Sequence, residues 1–232
     1  MTEGTKRTKK IEGVIFDLDG TLADTMDDLL TAMNGMLVDL GFATRTREEL
    51  LCFINRGARY FVGRSLPDGI VPDFNDPLVD RALVIYGEHY AKCCLDKTHP
   101  FEGVPEAVDE LKRAGVRVGV LSNKQDAFVR ETVGKLYPGV FDVVRGQTEL
   151  PEKPDPAPAL AVAGLLGVDP AHCAFVGDSD IDIKTGVNAG MLPVGVTWGY
   201  RSEECLVEAG AEVIVHTPDE LVAALIPDAI PV

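Results

Sequence analysis

Asp17 and Asp19 stand two positions apart in IEGVIFDLDGT, where a run of apolar residues stops. In an extended segment, residues i and i+2 share a side, so both carboxylates can face one point. Paired carboxylates in unlike surroundings can divide a nucleophilic role from an acid–base role. Gly20 and Thr21 follow, with backbone N–H groups able to line a phosphate nest. Further along, Ser122 and Asn123 open the tripeptide SNK, Lys153 lies in PEKPDP, and Asp178 and Asp182 lie in GDSDID. A carboxylate attacking a phosphate dianion meets like-charge repulsion, which a hard cation between them relieves. Mg2+ suits that place, because one or two carboxylates, substrate phosphate and retained waters satisfy its oxygen coordination. Asp17 and Asp178 are the natural pair of ligands. Lys153 supplies mobile positive charge. The Ser122 hydroxyl and nearby amides offer donors where transition-state charge spreads. Taken singly, each residue has a structural explanation: DLDG as a strand-ending turn, Lys153 as a solvated loop lysine, Ser122 as a helix cap, Asp182 as a first-turn carboxylate. Their combination points to phosphoryl chemistry.

For these residues to meet, separate segments must deliver them to one rim. Short Val- and Ile-rich runs at 11–16, 116–121, 141–146, 172–177, 191–196 and 212–215 read as buried strands of a parallel sheet. Between them, PEAVDELKRAG and DPAPALAVAGLLG have helical apolar spacing and end in glycine. Pro105 suits a first helical turn, and Asp180 starts a helix after the fourth run. The expected fold is α/β, a Rossmann-like parallel sheet core with helices on both faces. Such sheets bind ligands beyond the carboxyl ends of their strands, where Asp17, Ser122 and Asp178 fall. About a hundred residues separate the first run from the second, far more than a crossover needs. Helices are expected at 24–40, 50–61 and 78–95, making an inserted helical cap of residues 22–98. The core is then 11–21 and 99–232, with a return hinge at 99–103 and a flexible tail at 1–10.

Composition narrows the function classes. The formal charge of -15 sets up a field that repels a polyanionic backbone, so no nucleic-acid partner is expected. No stretch approaches the roughly 18 consecutive apolar residues of a membrane span. The basic start MTEGTKRTKK lacks the apolar region of a signal peptide. Five cysteines without CxxC spacing point to a reducing, cytoplasmic setting rather than a zinc or redox site. Adjacent Cys93 and Cys94 read as cap-core residues. No GxSxG elbow and no GxxxxGKS/T loop is present. A small phosphorylated metabolite is the expected partner, and oligomeric state stays open.

The motifs in order resemble those of the haloacid dehalogenase superfamily phosphatases. DLDGT is similar to the first family motif, SNK to the second, Lys153 in EKPDP to the third and GDSDID to the fourth. The resemblance implies that Asp17 is nucleophile and metal ligand. It implies that Asp19 is the general acid–base and binds the ion through its main-chain carbonyl. Ser122 and Asn123 would bind phosphate together with Gly20 and Thr21, Lys153 would neutralise charge, and Asp178 would be the second metal carboxylate. Asp182 is implied to lie behind these, holding the ion's water or the lysine. Asp19 argues against carbon–halogen cleavage, and Gly177 before Asp178 argues against a mutase. SNK, YPGVFD, TWGY and INRGARYFVGRSLP are similar to segments of phosphoglycolate phosphatases, which implies hydrolysis of 2-phosphoglycolate. Where many of those carry TNKP and a Gly-x-Gly pair, this chain has Ser122, and Arg56 before Gly57. Alternatives are a broader sugar-phosphate or nucleotide phosphatase, a sugar-phosphate mutase, or a phosphate- or metal-sensing binding protein. On the cap, Arg56, Arg59 or Arg64 is expected to answer the carboxylate of such a substrate by a charge-assisted hydrogen bond.

Overall fold

Gly13-Val14-Ile15-Phe16 is buried along its whole length, as a strand covered on both faces must be. It forms β1 of a computed structural model that describes residues 10–67 and 73–226. Residues 1–9, most of the expected tail, lie outside the described residues. Along the chain follow β2 (Ala23–Asp24), α1 (Met26–Asp39), α2 (Arg47–Leu51), α3 (Ala58–Ser65) and α4 (Pro77–Cys93). Next come β3 (His99–Pro100), α5 (Val104–Arg113), β4 (Arg117–Gln125), α6 (Asp126–Leu136) and β5 (Val143–Gln147). The chain continues through α7 (Ala157–Leu166), β6 (Cys173–Gly177), α8 (Asp180–Ala189) and β7 (Leu192–Val196). It ends with α9 (Glu203–Ala209), β8 (Val213–Val215) and α10 (Pro218–Leu225).

Six strands form one parallel sheet in the order β5-β4-β1-β6-β7-β8. The chain winds outward from β1 to one side, then returns and winds to the other, so the order reverses beside β1. Phe16 is level with Val120 on one side and Val176 on the other. That register puts Asp17, Ser122 and Asp178 just past the same level of the sheet. Strand alternation divides the core. Val14, Phe16, Val118, Val120 and Val176 pack with residues of α5, α6 and α10, while Ile15, Leu121 and Phe175 pack with α7.

The long interval after β1 is helical, with its own apolar cluster from α1, α3 and α4. Two departures from expectation occur here. The expected helix over 50–61 is two helices, α2 and α3, because Asn55 and Gly57 have φ of 75° and 79°, which no right-handed helix accepts. The insert is also closed at its base by antiparallel pairing of β2 with β3, Ala23 opposite Pro100 and Asp24 opposite His99. Just inside, the buried Asp28 carboxylate accepts from Lys97 N, Thr98 N (2.8 Å) and Thr98 Oγ1 (2.7 Å), tying the first helix to the return strand. Gly103 takes φ 78° as the chain enters α5. Cys93 and Cys94 are buried in the insert's cluster. No helix among the described residues is long and apolar enough to cross a membrane.

Candidate active site

Asp17 is the first residue past β1, yet its N–H still bonds Val176 O at 2.9 Å, so the sheet ladder fixes where its side chain starts. It is 2% exposed. Lys153 comes from the loop between β5 and α7, and two bonds with one side chain hold it: Lys153 N donates to Asn123 Oδ1 (2.8 Å), and Asn123 Nδ2 donates to Lys153 O (3.0 Å). Its Nζ then donates to Asp17 Oδ1 at 2.8 Å and Asp182 Oδ1 at 2.6 Å. Asp182 occupies the first turn of α8, where Ser179 caps the helix and also donates to Asp182 Oδ2. The cap and the lysine contact use the two oxygens of one carboxylate, so both expected roles of Asp182 coexist.

Asp178 is fully buried and oriented from both sides. Thr21 Oγ1 donates to its Oδ1 (3.0 Å) and Tyr200 N to its Oδ2 (2.8 Å). Gly20 is required beneath it: φ is +90°, and a Cβ there would lie 2.4 Å from Asp178 Oδ2. The Thr21 hydroxyl is thus committed to a carboxylate, while the backbone N–H groups expected to line a phosphate nest bond within the turn, Gly20 N to Ala23 O (2.9 Å) and Thr21 N to Leu18 O (3.3 Å). The Asn123 side-chain amide donates to Lys153 O and to Asn55 O (3.3 Å). Ser122 is 3% exposed, lines the cavity, and its Oγ accepts from Lys124 N (3.2 Å), an arrangement made where the β4–β5 pairing shifts register after Leu121.

Carboxylate oxygens of Asp17, Asp178 and Asp182 come within 4.8 Å of one another. Three buried carboxylates here face one ammonium, that of Lys153. Burial, then the neighbouring Asp182, pushes Asp17 up to about 7 despite the opposing pull of Lys153. Burial, followed by Asp182 and Asp17, raises Asp178 well above the ordinary carboxylate range. Burial alone would lower Lys153, but Asp17 and Asp182 outweigh it and hold the ammonium charged. An all-oxygen donor set short of positive charge fits a hard divalent cation. The Asp19 side chain stands apart from this cluster. Thr25 Oγ1 (2.6 Å) and Lys124 Nζ (2.5 Å) both donate to its Oδ1.

Above these residues lies a cavity shared by the core and the insert. Asp17, Asp19, Ser122 and Lys153 form its floor; Phe61, Tyr86, Tyr90 and Phe128 wall it from the insert and α6. The insert meets the core at several points: Asn123 holds Asn55 O, Arg201 Nη2 reaches Ile54 O (3.2 Å), and Arg56 lies 3.5 Å from Asp180. None of the three cap arginines lines the cavity. Arg56 faces Asp180 and the Tyr60 ring, Arg59 binds Asp80 at 2.6 Å, and Arg64 lies over the Phe53 ring. In this structure the arginines expected to contact substrate face these partners rather than the cavity. His89 pairs with Asp39 (2.7 Å), and His99 bonds Lys97 O.

Sequence reasoning missed Lys124, Thr25, Tyr90 and Tyr200. Lys124 was in plain view as the last residue of SNK, with its Nζ bonded to Asp19 and to Tyr90 Oη (2.8 Å). Tyr200 closes TWGY, and its hydroxyl accepts from Thr25 N (2.9 Å) and donates to Asp24 Oδ1 (3.0 Å). Apolar spacing marks Tyr90 as core, but carries no signal that its hydroxyl would reach a lysine of β4.

A parallel sheet with an aspartate–lysine–aspartate cluster past its central strands, roofed by a helical insert, is an α/β fold with an acidic, lysine-bearing site on its rim. The chain belongs to the haloacid dehalogenase-like hydrolases, whose family model matches residues 14–196. A phosphoglycolate phosphatase of Pseudomonas putida is 36% identical over 191 residues, 81% of this chain and 70% of the relative. That of Colwellia psychrerythraea is 32% identical, covering 92% of this chain and 96% of its own. An N-acetylmuramic acid 6-phosphate phosphatase of Pseudomonas aeruginosa is 31% identical, with 93% and 95% covered. A crystal structure from Lactobacillus delbrueckii subsp. bulgaricus has the same fold at 33% identity and a TM-score of 0.87, covering 93% of this chain and 98% of that one.

Proposed function

We propose that the protein is a magnesium-dependent phosphomonoester hydrolase that works through an aspartyl phosphate on Asp17 and takes 2-phosphoglycolate as substrate. The observation that carries this reading is the placement of Asp17: a buried carboxylate at the floor of a cavity, gripped through one oxygen by Lys153. Its other oxygen attacks phosphorus, and the bond from phosphorus to the ester oxygen breaks. Asp19 gives a proton to the departing alkoxide, then takes one from the water that attacks the aspartyl phosphate. Orthophosphate leaves and Asp17 is regenerated. Lys153 and the Ser122 hydroxyl offer donors to the phosphoryl oxygens through both steps. Asp17 and Asp178, with the Asp19 main-chain carbonyl, would hold Mg2+, and Asp182 stands behind through Lys153. When bound, the ion supplies the positive charge that lets a carboxylate and a phosphate dianion approach.

The core floor recognises phosphate alone, so selectivity falls to the residue 22–98 insert, read as a cap, and to the core groups that face it. Two relatives above 30% identity bear phosphoglycolate phosphatase names, which supports the substrate. A second reading, a phosphorylated sugar acid, has its own support: four aromatic rings wall the cavity, and such rings suit a pyranose face. The deciding measurement is kcat/KM with Mg2+ for 2-phosphoglycolate, N-acetylmuramic acid 6-phosphate and ethyl phosphate. A tenfold or greater lead for 2-phosphoglycolate is expected. A lead for the sugar ester would replace the first reading with the second, and no Mg2+-dependent release of phosphate from any of the three would overturn both.

A further inference from the structure

The side of the cavity facing a leaving group is largely apolar: Leu29, Ile54, Ala58, Phe61 and Phe128 border it. A carboxylate brought there needs a cation, and most cations nearby are spent. Lys153 is bound between Asp17 and Asp182. The cap arginines face partners outside the cavity. Lys124 remains. Its side chain is 8% exposed and borders the cavity from the core side. An ammonium has three N–H donors. Asp19 Oδ1 and Tyr90 Oη accept from Lys124, which leaves the third for a ligand.

Opposite, on the turn between α2 and α3, Asn55 borders the same cavity, and its Nδ2 is a buried donor without a partner among the described residues. A buried unpaired amide N–H costs on the order of what a lost hydrogen bond costs, so the position has a reason only if something accepts from it. Its place is held firmly. Its φ is 75°, and its carbonyl accepts from the same Asn123 amide that fixes Lys153.

We infer that Lys124 and Asn55 form the subsite for the anionic end of the leaving group, one from the core and one from the insert. The inference rests on the carboxylated substrate proposed above and gives it a place to bind that the cap arginines do not. Lys124 supplies charge, Asn55 supplies direction, and the apolar wall strengthens both by excluding water. Because Asn55 rides on the insert, the subsite is complete only when insert and core meet. A substrate carboxylate would therefore tie the insert to the core.

The test compares kcat/KM for 2-phosphoglycolate with that for its neutral amide, 2-phosphoglycolamide, in the unmodified protein and in Lys124→Met and Asn55→Gly. Glycine tolerates the positive φ, so the second variant removes the amide without straining the turn. The acid-to-amide ratio is expected to fall at least tenfold in Lys124→Met and several-fold in Asn55→Gly, through KM for the acid. Lys124→Arg should recover part of the ratio. A preference for the acid that survives both substitutions unchanged overturns the subsite while leaving the substrate proposal standing. No preference for the acid in the unmodified protein overturns the carboxylated substrate and the subsite together. If Lys124→Met does not fold, Asn55→Gly alone decides, since an unchanged ratio there removes the insert's half of the subsite.

Discussion

Lys153 Nζ donates to Asp17 Oδ1 at 2.8 Å although 136 positions separate the two residues. Asp182 takes a second N–H of the same ammonium at 2.6 Å, so one lysine balances two buried carboxylates while a third, Asp178, stands beside them. The cluster is therefore costly in charge before any ligand arrives. That imbalance has consequences for both stability and turnover.

Removing the ammonium should be severe. Deleting one partner of a buried ion pair costs about 3–5 kcal/mol, because the remaining charge has no compensation. Lys153→Met is expected to lower the unfolding free energy of metal-free protein at pH 8 by that order, measured by denaturant melts. Turnover should fall on the order of 10²–10³-fold with the loss of a preorganised donor to the phosphoryl oxygens. Lys153→Arg should rescue little, since a planar fork cannot reproduce two contacts made by a single Nζ. Near-normal rates in either variant would remove Lys153 from the proposed chemistry.

Stability of the metal-free protein should depend on pH in a stated direction. The Asp17 carboxyl is raised from 3.8 to about 7, and Asp178 is raised in the same sense. The folded state then holds protons that the unfolded chain releases. This contribution is fully present below pH 3.8 and is lost as pH rises through about 7. Each such proton changes stability by about 1.4 kcal/mol per pH unit within its window. With EDTA present, melting temperature should fall from pH 5 to pH 8, and less steeply in Asp17→Asn. Added Mg2+ should flatten the fall by binding the ionised cluster. Equal slopes for the two proteins in EDTA would count against the raised Asp17.

Asp28 offers a test of the insert's base, away from the chemistry. Its carboxylate accepts two backbone N–H groups and a hydroxyl, all at the junction of α1 with β3. Asp28→Ala leaves the two buried Thr98 donors without an acceptor, and a loss of about 2–4 kcal/mol is expected. The exposed Asp39, paired with His89, is the comparison, and Asp39→Ala should cost less than about 1 kcal/mol. Similar losses for the two variants, read from urea melts, would show that the Asp28 bonds carry no special weight.

The α/β class, the six core strands and the helical interval after β1 could all be read from the sequence, because buried strands and amphipathic helices write their periods into residue order. Asp17, Ser122, Lys153, Asp178 and Asp182 could be read for a related reason. The proposed chemistry uses those side chains, and a parallel sheet places strand-end residues on one rim whatever the loops do. Other features depend on the three-dimensional path of the chain. Asn55 and Gly57 split an expected helix through backbone angles that helical spacing does not encode. Arg56, Arg59 and Arg64 found acidic or aromatic neighbours, which composition could not rank against a ligand. Lys124 met Tyr90, 34 positions away on another element, and the Thr21 and Asn123 side chains came to hold Asp178 and Lys153. Residue order specifies which groups are available and which rim they reach. Which group a side chain finally bonds is a competition among neighbours brought together by packing, and that competition exists only once the chain has folded.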